Sequence, residues 1–141
     1  MYALDTNVVS EITRVAPDPN VMTWLNAAPR ASVFLPSIVV AELCAGVELM
    51  EPGKRRRVLD AMIRDFVASV GPSNIIDFGL AEAAHYARIV ALRQRQGRRI
   101  MVADAQVAAC AASRGMPVVT RNVPHFSDCG IEIVNPWNPQ P

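Results

Sequence analysis

Short apolar runs alternate with longer stretches of helical periodicity along this chain. The runs at residues 2–5, 32–35, 74–78, 117–120 and 131–134 have the length and composition of buried strands. Between them, the spacing of apolar positions predicts helices over residues 7–14, 20–27, 37–50, 54–70, 80–96 and 102–114. Strands that alternate with helices form parallel sheets covered on both faces. The pattern therefore predicts one α/β domain over residues 1–141, with a parallel sheet of about five short strands.

Several polar side chains suit the ends and outer faces of these helices. Ser37 is a candidate N-cap for the helix over 37–50, and Asp77 is one for the helix that starts at Leu80. Glu82 is expected to be solvated on a helix face. The helix over 37–50 is apolar nearly all round, which is typical of a buried helix. The proline-rich residues 135–141 are expected to have no regular structure.

Composition indicates a globular chain, because 51% of its residues are hydrophobic and 19% are charged. A net charge of +1 gives no whole-molecule signature of nucleic-acid binding, so any such binding must come from local patches. Cys44 and Cys110 lie in apolar helical patterns and are expected to be free, buried thiols, and Cys129 lies in a loop, so no disulfide is expected. With no apolar run long enough to span a membrane and no signal-peptide pattern, we expect a cytoplasmic protein.

Three acids stand in apolar surroundings. Asp5 ends the first apolar run, Glu42 is the one charge between residues 37 and 47, and Asp104 is the one charge between Arg99 and Arg114. A carboxylate buried among apolar side chains is costly unless it is paired, hydrogen-bonded or bound to a metal. The chain has a single lysine, Lys54, so a metal ion is a serious candidate for the compensating charge.

The predicted topology brings these acids to one edge of the sheet. Asp5 and the segment 120–122 follow strands, and ligands of parallel sheets bind at the carboxyl ends of the strands. Carboxylates on separate elements suit Mg²⁺, which keeps several of its waters. His85 and His125 have no partners at zinc-ligand spacing. The alternatives are that Asp5 and Asp104 merely cap helices and that Glu42 reaches solvent.

Arginines cluster at two helix ends. Residues 54–57 begin one helix, and Arg93, Arg95, Arg98 and Arg99 lie at the end of another. Most such runs are solvated faces, but the second cluster lies just before Asp104, which favours phosphate contacts by Arg98 and Arg99. Arg121, beside the fourth strand, is a third candidate for contact with a nucleic acid.

Five short motifs in order resemble one known family. They are Leu-Asp-Thr-Asn at 4–7, Pro-Ser-Ile-Val-Val-Ala-Glu-Leu at 36–43, Asp-Ala at 104–105, Val-Thr-Arg-Asn-Val-Pro-His-Phe at 119–126 and Ile-Val-Asn-Pro-Trp at 133–137. Over nearly its whole length the chain resembles the PIN domain, and within it the VapC or FitB type of toxin from bacterial toxin–antitoxin pairs.

The resemblance implies a Mg²⁺- or Mn²⁺-dependent ribonuclease that is held inactive by a cognate antitoxin and forms a homodimer. Carried over, the metal ligands are Asp5, Glu42 and Asp104. The fourth acidic position of the family falls near Asn122, a neutral amide able to bind a water or a phosphate oxygen, and this departure puts a second firmly held metal in question. Asp128 is a less well-placed substitute for the missing acid. The hydroxyl groups expected to support the ligands belong to Thr6, Ser37 and Thr120.

Rival interpretations fit less well. A haloacid-dehalogenase-like phosphatase needs a second aspartate where this chain has Asn7, and a receiver domain needs a lysine late in the chain. The remaining alternative is a catalytically weak or inactive PIN-like module that binds RNA or a protein, and Asn122 is the feature that favours it.

Overall fold

A five-stranded parallel sheet forms the centre of the chain. The computed structural model describes residues 1–138. The strands run in the order β3-β2-β1-β4-β5, all neighbours being parallel. Their bounds are β1 (Tyr2–Leu4), β2 (Val33–Pro36), β3 (Ile75–Ile76), β4 (Val118–Val119) and β5 (Ile133–Val134). The predicted α/β class and the five short parallel strands are confirmed.

Within the described residues, seven α-helices connect or follow these strands. They are α1 (Thr6–Ile12), α2 (Pro19–Ala27), α3 (Ser37–Glu48), α4 (Lys54–Val70), α5 (Leu80–Arg95), α6 (Val102–Ser113) and α7 (Val123–Phe126). The short α7 was not predicted, because four residues with a proline in the first turn leave no periodic signal. Crossovers between parallel strands are right-handed, so the helices before β3 and those between β3 and β4 cover opposite faces.

The path of the chain reverses at β1. From β1 it adds β2 and β3 on one side, and then returns to place β4 and β5 on the other. The backbone N–H of Asp5 donates to the carbonyl of Val119 at 3.0 Å, so the ends of β1 and β4 are tied together. This reversal is where parallel sheets open a crevice between neighbouring strand ends.

Complete burial of the central strands holds that reversal in place. Ala3 and Leu4 of β1 and Val118 and Val119 of β4 have no solvent exposure. Helix α6 adds an alanine-rich buried face against them, and small side chains allow a helix to approach the sheet closely. The backbone at the strand ends is therefore held by core packing.

Helix α3 differs from its prediction. Only Val39, Leu43 and Val47 are buried, while Cys44 is exposed. The helix packs one stripe against the fold, and small apolar residues on its other face are left uncovered. The predicted burial of α3 and of the Cys44 thiol is therefore wrong. Ser37 is the first helical residue, after Pro36, and its side chain forms no capping hydrogen bond, so the N-cap prediction is wrong as well.

Glu82 was predicted to be solvated, but it is buried, and its carboxylate links α5 to α6 through hydrogen bonds. It is 6% exposed and accepts hydrogen bonds from the Gly79 N–H at 3.0 Å and the Ser113 hydroxyl at 2.9 Å. Arg114 Nη1 lies 3.2 Å from the same carboxylate. Gly79, and not Asp77, is the N-cap of α5. Burial alone would raise the pKa of Glu82, but these hydrogen bonds together hold it below its usual value.

Three further expectations concern membrane spans, the cysteines and the C-terminal tail. No helix among residues 1–138 is long and apolar enough to cross a membrane. All three cysteines are free, with Cys110 and Cys129 buried. Residues 135–138 form neither helix nor strand, as predicted for the tail. The remaining part of that prediction, residues 139–141, lies outside the described residues.

We expect Glu82→Gln to lower the free energy of unfolding at pH 7 by about 1–3 kcal/mol, because neutral Gln is a weaker acceptor for three donors. A carboxylate with a lowered folded-state pKa stabilises the fold above its unfolded value of 4.5. That stabilisation is lost as the pH falls through the lower, folded-state value. Urea denaturation between pH 7 and pH 3 measures both effects. Glu51→Gln, at an exposed position, is the matched control. An equal change in the free energy of unfolding in both variants would contradict the stabilising role of Glu82.

Candidate active site

A cleft opens at the carboxyl ends of β1 and β4, where the sheet reverses. Its volume is about 440 Å³, and its lining is mainly polar and charged. The lining residues come from the ends of both strands and from α1, α3 and α6: Asp5, Thr6, Asn7, Ser10, Glu11, Arg14, Glu42, Asp104, Arg121 and Asn122. The three acids selected from the sequence therefore face one cleft, together with Asn122 and Arg121.

Asp5 lies at the base of the cleft and is 5% exposed. Its Oδ1 accepts the Thr6 N–H at 2.7 Å, so it also caps α1. Its Oδ2 accepts the Thr120 hydroxyl at 2.7 Å and the Asn7 amide at 2.6 Å. Burial raises the pKa of Asp5, the nearby charges of Asp104 and Glu42 raise it further, and the hydrogen bonds offset only part of this.

Glu42 and Asp104 stand nearer to solvent. Glu42 is exposed, and its Oε2 accepts the Thr6 hydroxyl at 2.5 Å. The Asp104 side chain is 20% exposed, and its Oδ2 lies 3.0 Å from Nδ1 of His125. The expectation that all three acids are buried is therefore wrong for Glu42 and only partly right for Asp104. Both belong to the first two turns of helices whose apolar stripes face elsewhere, so they reach the cleft from its rim.

Asn7 completes the frame that holds Asp5, although the sequence analysis did not identify it as a site residue. Its amide nitrogen bonds Asp5 and also lies 3.0 Å from the Thr120 hydroxyl. Its Oδ1 accepts the backbone N–H of Arg121 at 3.2 Å. The Thr120 hydroxyl in turn accepts the N–H of Asn122 at 2.9 Å. Asn7 follows Asp5 by two residues, and this spacing was the available signal.

Glu11 is a second cleft residue that the sequence analysis did not identify. It is 4% exposed, it accepts the backbone N–H of Asp18 at 2.8 Å, and it pairs with Arg14 at 3.2 Å. These contacts hold the segment that follows α1 against the cleft mouth. Because Glu11 has its own partners, it contributes less uncompensated charge than the other three acids.

Two of the three hydroxyl groups predicted to support the metal ligands contact them. Thr6 and Thr120 hydrogen-bond the carboxylates of Glu42 and Asp5. Among the described residues, the Ser37 hydroxyl forms no hydrogen bond to a cleft acid. The role of Thr6, Ser37 and Thr120 in supporting a metal site stays a prediction.

Of the three arginines, Arg121 lines the cleft, and its guanidinium lies 5.3 Å from the centre of the Trp137 ring. Arg98 and Arg99 do not line the cleft. Arg98 pairs instead with Asp128 at 2.7 Å. Contact of these arginines with RNA remains a prediction, and the geometry favours Arg121 for it.

The donor chemistry of the cleft fits a hard divalent cation. Within residues 1–138, no three His, Cys, Asp or Glu side chains are grouped closely enough to enclose an ion directly. However, Oε1 of Glu42 and Oδ1 of Asp104 accept no hydrogen bond from the described residues. The charges of both acids also raise the pKa of Asp5. Widely spaced carboxylate oxygens around uncompensated negative charge suit Mg²⁺ or Mn²⁺, which retain bound waters.

The model of the PIN domain family matches residues 2–127. The chain belongs to this family. It is 35% identical to the toxin FitB of Neisseria gonorrhoeae over 98% of this chain and 99% of that protein. It is also 35% identical to the VapC ribonuclease Y4jK of Sinorhizobium fredii, with 99% of each chain covered.

Solved structures of the PIN family give the same result for the fold. A structure described as FitAB bound to an IR36 DNA fragment matches with a TM-score of 0.93 and 34% identity, covering 100% of this chain and 99% of that chain. FitAcB from Neisseria gonorrhoeae matches with a TM-score of 0.90 and 35% identity, covering 97% and 99% respectively. The predicted membership and the PIN-like fold are confirmed.

We expect Glu42→Gln and Asp104→Asn to raise the free energy of unfolding of the metal-free protein at pH 7, or to leave it within about 0.5 kcal/mol of the wild-type value. Each removes a charge that repels Asp5, while the new amide keeps an oxygen for Thr6 or His125. Asp5→Asn differs, because replacing Oδ2 by an amide nitrogen removes an acceptor shared by the Asn7 amide and the Thr120 hydroxyl, and this should destabilise the fold. Urea denaturation in EDTA measures all three, and a loss above about 1 kcal/mol for the first two would contradict the repulsion.

Proposed function

We propose that this PIN-domain protein is the toxin of a toxin–antitoxin pair and hydrolyses RNA phosphodiester bonds with Mg²⁺ or Mn²⁺. The observation that carries the proposal is the convergence of Asp5, Glu42 and Asp104 on one cleft at the reversal of the sheet. Relatives named ribonucleases and toxins, similar over nearly the whole chain, support it.

Asp5, Glu42 and Asp104 would hold the ion, which when bound supplies Lewis-acid activation of the phosphodiester and a water of lowered pKa. The chain itself supplies orientation. Three donors fix both oxygens of Asp5, and the Thr6 hydroxyl fixes one oxygen of Glu42. These fixed oxygens leave little to reorganise when charge develops in the reaction.

Arg121 provides the positive charge of the cleft on the β4 side. Its backbone is held by Asn7, and its guanidinium stacks over Trp137, which restricts the side chain without neutralising it. A guanidinium suits a phosphate oxygen as a bidentate donor, so Arg121 would position the RNA backbone next to the carboxylates. Asn122, also in the cleft, offers an amide in the same place.

The partners of the chain belong to the same proposal. Solved relatives include FitAB and VapBC complexes, which supports a cognate antitoxin as the partner that blocks the cleft. A homodimer is supported by α3, whose outer face exposes Ala41, Cys44 and Ala45 beside Leu49, which is 87% exposed. The cytoplasm, where RNA is available, is the expected location.

Asn122 supports a second candidate function. A neutral amide at the fourth acidic position, together with the open spacing of the three carboxylates, favours a PIN-like module that binds RNA or a protein without cutting it. Cleavage measurements with the purified chain separate the two functions, because a binding module protects RNA from a second nuclease but generates no new ends.

We expect Asp104→Asn to reduce Mg²⁺-dependent RNA cleavage by about 10²-fold or more, because the ion loses one charged ligand. The measurement is the rate of cleavage of end-labelled RNA, with Mg²⁺ or with EDTA, mapped to fragment ends. Asp128→Asn is the matched control, since Asp128 pairs with Arg98 outside the cleft. Its left-handed backbone, with φ of 62°, also suits asparagine.

Two results would contradict the nuclease. One is full activity of Asp104→Asn, and the other is equal loss in both variants. An RNA-binding wild type with no Mg²⁺-dependent cleavage would favour the binding module.

We also expect saturating Mg²⁺ or Mn²⁺ to raise the melting temperature of the wild type and of Asp128→Asn, but to raise that of Asp104→Asn much less. A cation that binds the folded cleft at 100 times its dissociation constant adds about 2.7 kcal/mol of stability. Differential scanning fluorimetry in Mg²⁺ and in matched Na⁺ measures this. An equal rise in all three proteins would show that the cation acts elsewhere.

A further inference from the structure

His125 reaches the cleft from α7 and contacts a carboxylate there. Its Nδ1 lies 3.0 Å from Oδ2 of Asp104. When Asp104 is ionised, its carboxylate can only accept hydrogen bonds, and Nδ1 is then the donor of this contact. The two residues are 21 positions apart, on α6 and α7, so this contact exists only in the folded chain.

The backbone around His125 is held firmly although its ring is half exposed. The His125 N–H donates to the carbonyl of Asn122 at 2.9 Å, and the Ser127 N–H donates to Val123 at 2.9 Å. The next residue, Phe126, has no solvent exposure and belongs to the core. The imidazole therefore approaches Asp104 from an anchored turn.

Among residues 1–138, no other side chain or backbone group hydrogen-bonds the carboxylate of Asp104. It lies in the first turn of α6, whose N-cap is Met101, and it does not cap that helix. Rotation of an aspartate carboxylate about its last bond is soft, so a single hydrogen bond decides which oxygen points where. With Oδ2 bound to His125, the unbonded Oδ1 is left for a ligand in the cleft.

Each of the three proposed metal ligands thus accepts at least one hydrogen bond. Asp5 has Thr6, Asn7 and Thr120, Glu42 has Thr6, and Asp104 has His125. The loop that carries His125 also carries Asn122, whose side chain forms no hydrogen bond with the described residues. His125 is accordingly the side chain of this loop that contacts a cleft acid.

We propose that His125 is a positioning residue, which donates from Nδ1 to Asp104 and so presents the other oxygen of that carboxylate to a divalent cation. This rests on the proposed metal-dependent function. Hydrogen-bond partners of metal ligands commonly change metal affinity by about 10–100-fold. His125 acts through Asp104, and neither contact with RNA nor proton transfer is required of it.

Two amide substitutions at His125 distinguish a role of Nδ1 from a role of Nε2. Asparagine places its side-chain N–H₂ near the position of Nδ1 and can still donate to Asp104, whereas glutamine places it near Nε2. His85→Gln, on α5 outside the cleft, is the matched control. The measurement is Mn²⁺ affinity of the full chain by electron paramagnetic resonance, with thermal denaturation in EDTA as the test of folding.

We expect His125→Gln to weaken Mn²⁺ binding about 10-fold or more, with His125→Asn and His85→Gln close to the wild type. Nitrogen NMR of the metal-free wild type should show the Nδ1–H tautomer of His125. In Asp104→Ala the tautomer should change to Nε2–H, a result independent of both metal and RNA.

Some outcomes would overturn the role of His125. These are equal Mn²⁺ affinity in all variants, the reverse order of Asn and Gln, or the Nε2–H tautomer in the wild type. Loss of folding in EDTA by both His125 variants would also refute it, because the residue would then be structural. If the Mn²⁺ affinities of the wild type and the variants follow the expected order but the wild type cleaves no RNA, the proposed nuclease function is refuted and the role of His125 stands.

Discussion

The burial of Asp5 at the reversal of the sheet is the constraint on which the cleft depends. Its carboxylate sits where β1 and β4 end, tied to both by hydrogen bonds from Thr6, Asn7 and Thr120. Those bonds orient the charge but do not fully offset its burial, and Glu42 and Asp104 add repulsion. The fold thus concentrates negative charge at these three acids. Among the described residues, no arginine or lysine side chain forms a hydrogen bond or an ion pair with them.

Such an arrangement costs stability in the free protein and is useful only if something binds there. Structural carboxylates in the same chain are treated differently: Glu82 and Glu11 each have an arginine partner and backbone donors. Glu82 and Glu11, which have arginine partners, stabilise the fold, whereas Asp5, Glu42 and Asp104 have no such partner among the described residues and are the proposed cation ligands. Natural proteins retain this kind of local cost at functional sites.

Much of this was predictable from the sequence, and for identifiable reasons. The strands, the long helices and the position of Asp5 follow from apolar periodicity and from the rule that sites form at strand ends. The pattern does not show which face of a helix is covered, so α3 was placed in the core and Glu42 was expected to be buried. Ser37 has the right chemistry for a cap but lies one residue inside the helix.

The contacts that the sequence analysis missed are tertiary. His125 and Asp104 approach through the packing of α7 on α6, and Glu82 is covered by the end of α6 at Ser113 and Arg114. Each residue by itself looks like an ordinary surface residue. The short α7 carries no periodic signal, so nothing along the chain placed a histidine beside the third acid.

We propose that one divalent cation offsets the charge shared by Asp5, Glu42 and Asp104. Anomalous diffraction from crystals of the protein soaked in Mn²⁺, recorded at the manganese edge, would locate that cation. We expect a single strong peak in the cleft, within bonding distance of a carboxylate oxygen of at least two of these acids. An empty cleft at saturating Mn²⁺, or peaks confined to other surface acids, would contradict it.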